Sequence, residues 1–255
     1  MADRSRPPAD PHRECQPMTP AFAYLQARLQ ARHGQRLDEH GWRRLEMVMP
    51  YRLFLKNARE TALAPWLQTI GEQDEPALLE QRLHETLQQT ILDLCHWSPP
   101  PWQEAIRWTR HLWLLPAWQH HWRGETLPPG LTLPSDPALH TLETAWRSGT
   151  PLLESWLLQW QKLCPKQHNK ESRTLEQLLL ILQQHRQLFV ALPDPAAARQ
   201  ARLLLQQTLR EQFRRASGMP AAIFTYLALL ALDWERLRGN LLLRALYHDS
   251  AEEAQ

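Results

Sequence analysis

His84 and Glu85 begin the pattern of a zinc-binding helix, in which a second histidine four residues after the first completes the metal pair. Gln88 stands at that position instead. His120 and His121 are adjacent, so on a helix they point about 100° apart and cannot chelate one ion together, and His111 is poorly spaced from either. Cys15, Cys95 and Cys164 form no C-x-x-C pair, which argues against a zinc knuckle and against a disulfide framework. The 8 glycines include no G-x-G-x-x-G and no phosphate loop. No G-x-S-x-G and no well-placed acid pair is present either. The expectation is a non-catalytic protein with no cofactor, no metal and no small-molecule substrate.

The remaining chemistry is electrostatic, and it centres on "YLALLALDWERLRGNLLLRAL", residues 226 to 246. At helical spacing Tyr226, Leu230, Trp234, Leu237 and Leu241 share one side, with Asp233 on its margin. A carboxylate there must be paired, hydrogen-bonded or solvated. Arg236, Asn240 and Arg244 form a polar stripe beside it, so one reading is a solvated face with local Asp233–Arg236 and Glu235–Arg238 pairs. In the other reading the partners come from the first helix, "AFAYLQARLQARHGQRL", where Tyr24, Arg28 and Arg32 follow one i, i+4 line bordering Leu25 and Leu29. Arg28 or Arg32 would then meet Asp233 or Glu235 and tie the two chain ends together.

Twelve tryptophans add a second candidate surface, six of them between Trp97 and Trp122. On an unbroken helix Trp108, Trp118 and Trp122 share a face, although Pro116 disturbs that phase. Such residues fill cores as readily as they bind partners. The formal charge of +2 in 255 residues gives no support for nucleic acid as a partner.

The elements that position these residues are predicted to be helices throughout. The chain holds 47 leucines against 2 valines and 5 isoleucines, and no segment keeps a period of two for long. The fold class is therefore all-α, without significant β-sheet. Helices are expected near 20–33, 38–49, 51–70, 75–96, 101–123, 137–148, 151–163, 173–192, 195–217 and 220–247. Thr19-Pro20, Asp136-Pro137, Thr150-Pro151 and Asp194-Pro195 read as caps followed by first-turn prolines. Pro65 and Pro116 should split or kink their helices, and Gly124 and Gly218 suit helix ends.

Residues 1–19 read as a polar, proline-rich, disordered leader without a secretory h-region, and 249–255 as a tail. The segment "GETLPPGLTLPSDP" (124–137) is the best internal boundary, separating a first helical bundle (20–123) from a second helical region (137–248). The longest apolar run is about a dozen residues, short of the roughly 20 a spanning helix needs. A soluble chain in a reducing cytoplasm is the expectation.

Three segments in this order resemble the subunit d family of V-type ATPases, which has counterparts in the archaeal-type (A-type) enzymes. "YLQARLQARHGQRLDEHGWRRL" is similar to the family's opening helix, "AIRWTRHLWLLPAWQHHWRG" sits where its first bundle closes in Arg-Gly, and "FTYLALLALDWERLRGNLLL" resembles its last helix. By position Tyr24, Ala27, Arg28, Arg123, Tyr226, Asp233, Leu237 and Arg238 match. Arg236 stands where Asn is usual, Ala117, Trp118 and Gln119 replace an Asn-Leu-Lys, and about 124–195 has no counterpart. The resemblance implies a shortened, divergent member with a funnel-like or V-shaped array of helical bundles. It implies a rotor or central-stalk subunit, peripheral on the cytoplasmic face of the membrane. Its partners would be the central shaft and the membrane ring, with membrane contact only through those proteins. A helical adaptor of another assembly fits the same composition. The structural or partner-binding candidates are Tyr24, Arg28, Arg32, Trp118, Trp122, Arg123, Tyr226, Asp233, Arg236 and Arg238.

Overall fold

The computed structural model describes residues 20–127, 131, 133–134, 136–137, 139–166, 169–191 and 194–252. Among them there is no strand, and the chain is all-α as its composition requires. The expected leader, with the Thr19 cap, lies outside the described residues.

The helices are α1 (Pro20–Gln35), α2 (Glu39–Glu46), α3 (Tyr51–Arg59), α4 (Pro76–Trp97), α5 (Pro100–Trp108), α6 (Leu115–Trp122), α7 (Leu139–Arg147), α8 (Leu152–Leu163), α9 (Asn169–Val190), α10 (Pro195–Arg215) and α11 (Ala221–Glu252). The two internal prolines act as anticipated. The helix from Tyr51 stops at Arg59, with Pro65 in a separate 3₁₀ turn over Ala64–Trp66. Around Pro116 the expected single helix is three pieces: α5, a 3₁₀ stretch over Thr109–Leu114, and α6 with proline in its first turn.

The caps divide. Asp194 caps α10 by accepting from Ala197 N at 2.8 Å. Asp38 does the same for α2 through Gly41 N at 2.7 Å. Thr150 does not cap α8, whose N-cap is Pro151 without a side-chain bond. Thr150 N instead donates to Ala145 O while Gly149 N donates to Trp146 O, which closes the end of α7 in a Schellman motif. Gly149 has φ +87°, as that motif needs, and Gly124 (φ +77°) closes α6 in the same way.

The core organises around α11. Its first turns, Ala221 to Tyr226, are buried on every side, and Leu229, Leu237 and Leu241 continue the seam. A helix apolar all round belongs at a centre. Accordingly α11 packs against α1, α3 and α4 from the first stretch of chain and α9 and α10 from the second. One hydrophobic cluster runs through both stretches, and Leu131 and Leu133 of the 124–136 connection lie partly buried against it. Two indoles anchor backbone across this core: Trp234 Nε1 donates to Leu83 O and Trp108 Nε1 to Trp156 O, both at 3.1 Å.

Candidate functional site: the charged seam between the chain ends

The polar stripe of α11 faces the first fifty residues. Asp233 is buried, and its Oδ2 accepts from Arg36 Nε at 2.6 Å; the two side chains are 8% and 6% exposed. Arg36 Nη2 also donates to Leu229 O at 3.2 Å. Arg36 Nη1 and Asp233 Oδ1 have no protein partner. Burial raises the Asp233 carboxyl above its ordinary pKa, against the pull of Arg36.

One turn on, Arg236 bridges two acids of α2. Its Nε and Nη2 take Glu46 at 2.6 and 2.9 Å, and its Nη1 takes Glu39 at 2.7 Å. The guanidinium lies over the Trp42 ring at 4.9 Å. Hydrogen bonding to Arg236 holds Glu39 below the usual carboxylate range. Burial pushes Glu46 upward, but the Arg236 bonds and charge outweigh it and leave Glu46 lowered as well.

Arg244 completes the seam. It is buried and donates to Val48 O at 2.8 Å and Glu46 O at 3.0 Å, carbonyls at and beyond the C-terminal end of α2. Those groups have no intrahelical donors, so a guanidinium there satisfies what the helix end leaves open. Asn240 Oδ1 and O take its remaining Nη1. On the next face Arg238 binds Glu80 of α4 and reaches the Trp234 ring at 5.9 Å.

Neither sequence reading of Asp233 survives in its residues, although the ends do meet. The local Asp233–Arg236 and Glu235–Arg238 pairs do not form, since Arg236 and Arg238 serve α2 and α4, and Glu235 faces Arg202 at 3.8 Å. Arg28 and Arg32 do not reach the acids either. Both guanidiniums stack on Trp97 at 4.2 Å, Arg28 also over Tyr24 at 5.2 Å. Arg36 takes their place, in the bend one residue beyond the end of α1.

The other candidates separate into two places. Tyr226 is buried in the core beside α10, its ring 6.3 Å from Phe213. Tyr24 lies on the surface. Trp118, Trp122 and Trp146 form a row of tilted rings with centroids 5.6 and 5.7 Å apart, and Arg123 stands in solvent near Glu125 at 3.9 Å. That aromatic row is remote in sequence from the seam. Sequence reasoning missed Arg36, Glu39, Glu46 and Glu80. The available signal was the i, i+4 line itself, which reaches Arg36, and the Glu39/Glu46 pair at i, i+7 on one helix face.

Two clefts flank the seam. One of about 450 Å³ lies between α10 and α11, lined by Arg199, Arg202, Arg236 and Leu243, with Met49 at its margin. The other, about 390 Å³, opens between the end of α1, the 3₁₀ turn at Ala64–Trp66, α4 and α11. Asp233 lines both. Among the described residues no three His, Cys, Asp or Glu side chains converge as a metal site needs, and no helix is long and apolar enough to cross a membrane. Comparison with protein-family models, curated proteins and solved structures finds no match.

Proposed function

We propose that this protein is a non-catalytic coupling component of a V/A-type ion-translocating ATPase, linking the central shaft to the membrane rotor ring on the cytoplasmic face. The observation that carries the reading is the seam. A single long helix, α11, holds the chain's opening segments through Arg36–Asp233, Arg236–Glu39/Glu46 and Arg244. A link that transmits torque works by stiffness. Buried charges bridged across one core give a few discrete arrangements instead of graded deformation. The seam also contains the segments that resemble the subunit d family at both ends of the chain.

Beside it lies a surface suited to a protein partner. Met47 and Met49 are 81% and 67% exposed, and Leu243 and Leu246 of α11 are half exposed. Apolar side chains ringed by Arg199 and Arg202 match the composition of protein interfaces. We assign this end to the partner proteins of the rotor. The test is affinity isolation of the tagged, full-length chain from native membranes with identification of bound chains. Catalytic, shaft and ring proteins of one rotary ATPase are expected. A reproducible complex lacking all of them would instead favour a helical adaptor of another assembly.

A further inference from the structure

The face of α11 opposite the polar stripe does not pack closed. Phe224, Leu227, Ala228 and Ala231 recur there at helical spacing and line a pocket of about 140 Å³. Its other walls include Ile91 of α4, Trp156 and Trp160 of α8 and Leu178 of α9. All four of these side chains are buried, so the pocket reaches into the core, and Leu112, 37% exposed, marks its mouth. No charged side chain lines it, and the surface it presents is almost all hydrocarbon. Thr109, the one lining residue with a hydroxyl, already donates to Ile106 O at 2.7 Å. The indole N–H groups of Trp156 and Trp160 are closed to solvent and offer a ligand nothing.

Lining and size together select the occupant. Water there would leave its hydrogen bonds unmade, and apolar cavities of this order stay dry. An empty pocket deprives its walls of contacts on one side, which an apolar guest restores. An α-helix, roughly 10 Å across with its side chains, is too wide to enter, so a partner's helix does not fit. A hole of about 150 Å³ lined by Leu, Ile and Phe is known to take benzene. We propose that this pocket binds a hydrocarbon group about the size of a single benzene ring, seated among Ile91, Trp160 and Phe224. Two sources offer that chemistry: a small free hydrocarbon, and the end of an acyl chain that enters past Leu112 and leaves its polar head in water. The proposal is independent of the coupling role and survives or fails without it.

Titration of the full-length protein with benzene and with hexanoate, followed by NMR of the isoleucine methyl groups, tests it. Saturable shifts of the Ile91 methyl signal are expected, while Ile70, which does not line the pocket, stays unmoved. Binding of benzene points to a free hydrocarbon, and of hexanoate to an acyl chain; either supports the site. Pyridine keeps the shape of benzene but adds a ring nitrogen, and acetate keeps the head of hexanoate without its chain. Each should bind at least tenfold more weakly than its apolar counterpart, since the lining offers no accessible donor and no charge. Ala228→Leu puts a larger side chain into the space and is expected to weaken binding by at least tenfold; Ala231→Leu fills it from the next turn and serves where the first variant does not fold. Three results would overturn the proposal: no saturable response of Ile91 to either ligand by roughly 10 mM, beyond the millimolar range of weak specific sites; pyridine or acetate binding as tightly as its counterpart; or unchanged binding by the folded, filled variant.

Discussion

Arg36 and Asp233, 197 positions apart in sequence, meet across 2.6 Å inside the molecule and fasten the start of the chain to its last helix. Taking two charges out of water is costly, and their attraction repays this only while both are present. Asp233→Ala is therefore expected to destabilise the protein by roughly 3–5 kcal/mol, because it strands the Arg36 guanidinium. Arg36→Ala should cost a similar amount by stranding Asp233. The double variant should lose clearly less than the sum. Urea denaturation of the three variants checks this, and additive losses would mean that the pair is not coupled.

Arg28 belongs to a different environment. Its guanidinium rests on Trp97 and Tyr24 near the surface, so Arg28→Ala should cost under about 1 kcal/mol. In combination with Asp233→Ala the effects should add. A coupling energy well above about 0.5 kcal/mol, the usual limit for independent sites, would contradict the geometry.

Arg236 bonds both Glu39 and Glu46 through three nitrogens. Lysine keeps the charge but not the planar fork, so Arg236→Lys should lose most of what Arg236→Gln loses, on the order of 2 kcal/mol. Both glutamates have lowered pKa values in the fold. Their contribution is complete above the ordinary glutamate value near 4.5 and is lost as pH falls through the lower folded values. Arg236→Gln should accordingly flatten the acid limb of the stability curve below that point. An acid limb identical to the parent's would show that the bridge does not form.

His33 stacks on Phe213 at 4.5 Å, and burial, with Arg36, Arg210 and Arg214 nearby, lowers its pKa from 6.5 to about 4. The unfolded chain takes up this proton first, so the histidine's contribution is complete above pH 6.5 and declines as pH falls toward 4. The slope is at most about 1.4 kcal/mol per pH unit. His33→Phe should remove that part of the pH dependence, and NMR titration of the ring should find its midpoint near 4. A midpoint near 6.5 would contradict the partly buried, neutral ring.

The sequence carried the helices more clearly than the seam. Leucine excess and the prolines at 65, 116 and 195 marked several element starts and breaks, because those effects are local. Thr150 misled because its position fits two roles, and the Gly149 turn before it claims its N–H for α7. The convergence of the chain ends was legible from arginines and an acid that each border an apolar stripe. The identity of the partner was not. Helical phase alone leaves Arg28, Arg32 and Arg36 equivalent, and only the tertiary path of the chain, which ends α1 at Gln35 and turns Arg36 onto α11, selects the last. The α2 acids were hidden for the same reason, since their receptor lies 190 or more residues away.

The most direct test of the coupling role compares native membranes with and without this chain for ATP hydrolysis and for ATP-driven ion transport by the rotary ATPase. A link that performs no chemistry should leave substantial ATP hydrolysis when removed, while ion transport falls to background and returns on re-addition of the protein. Transport that persists unchanged in its absence, in membranes verified to lack it, would contradict the account.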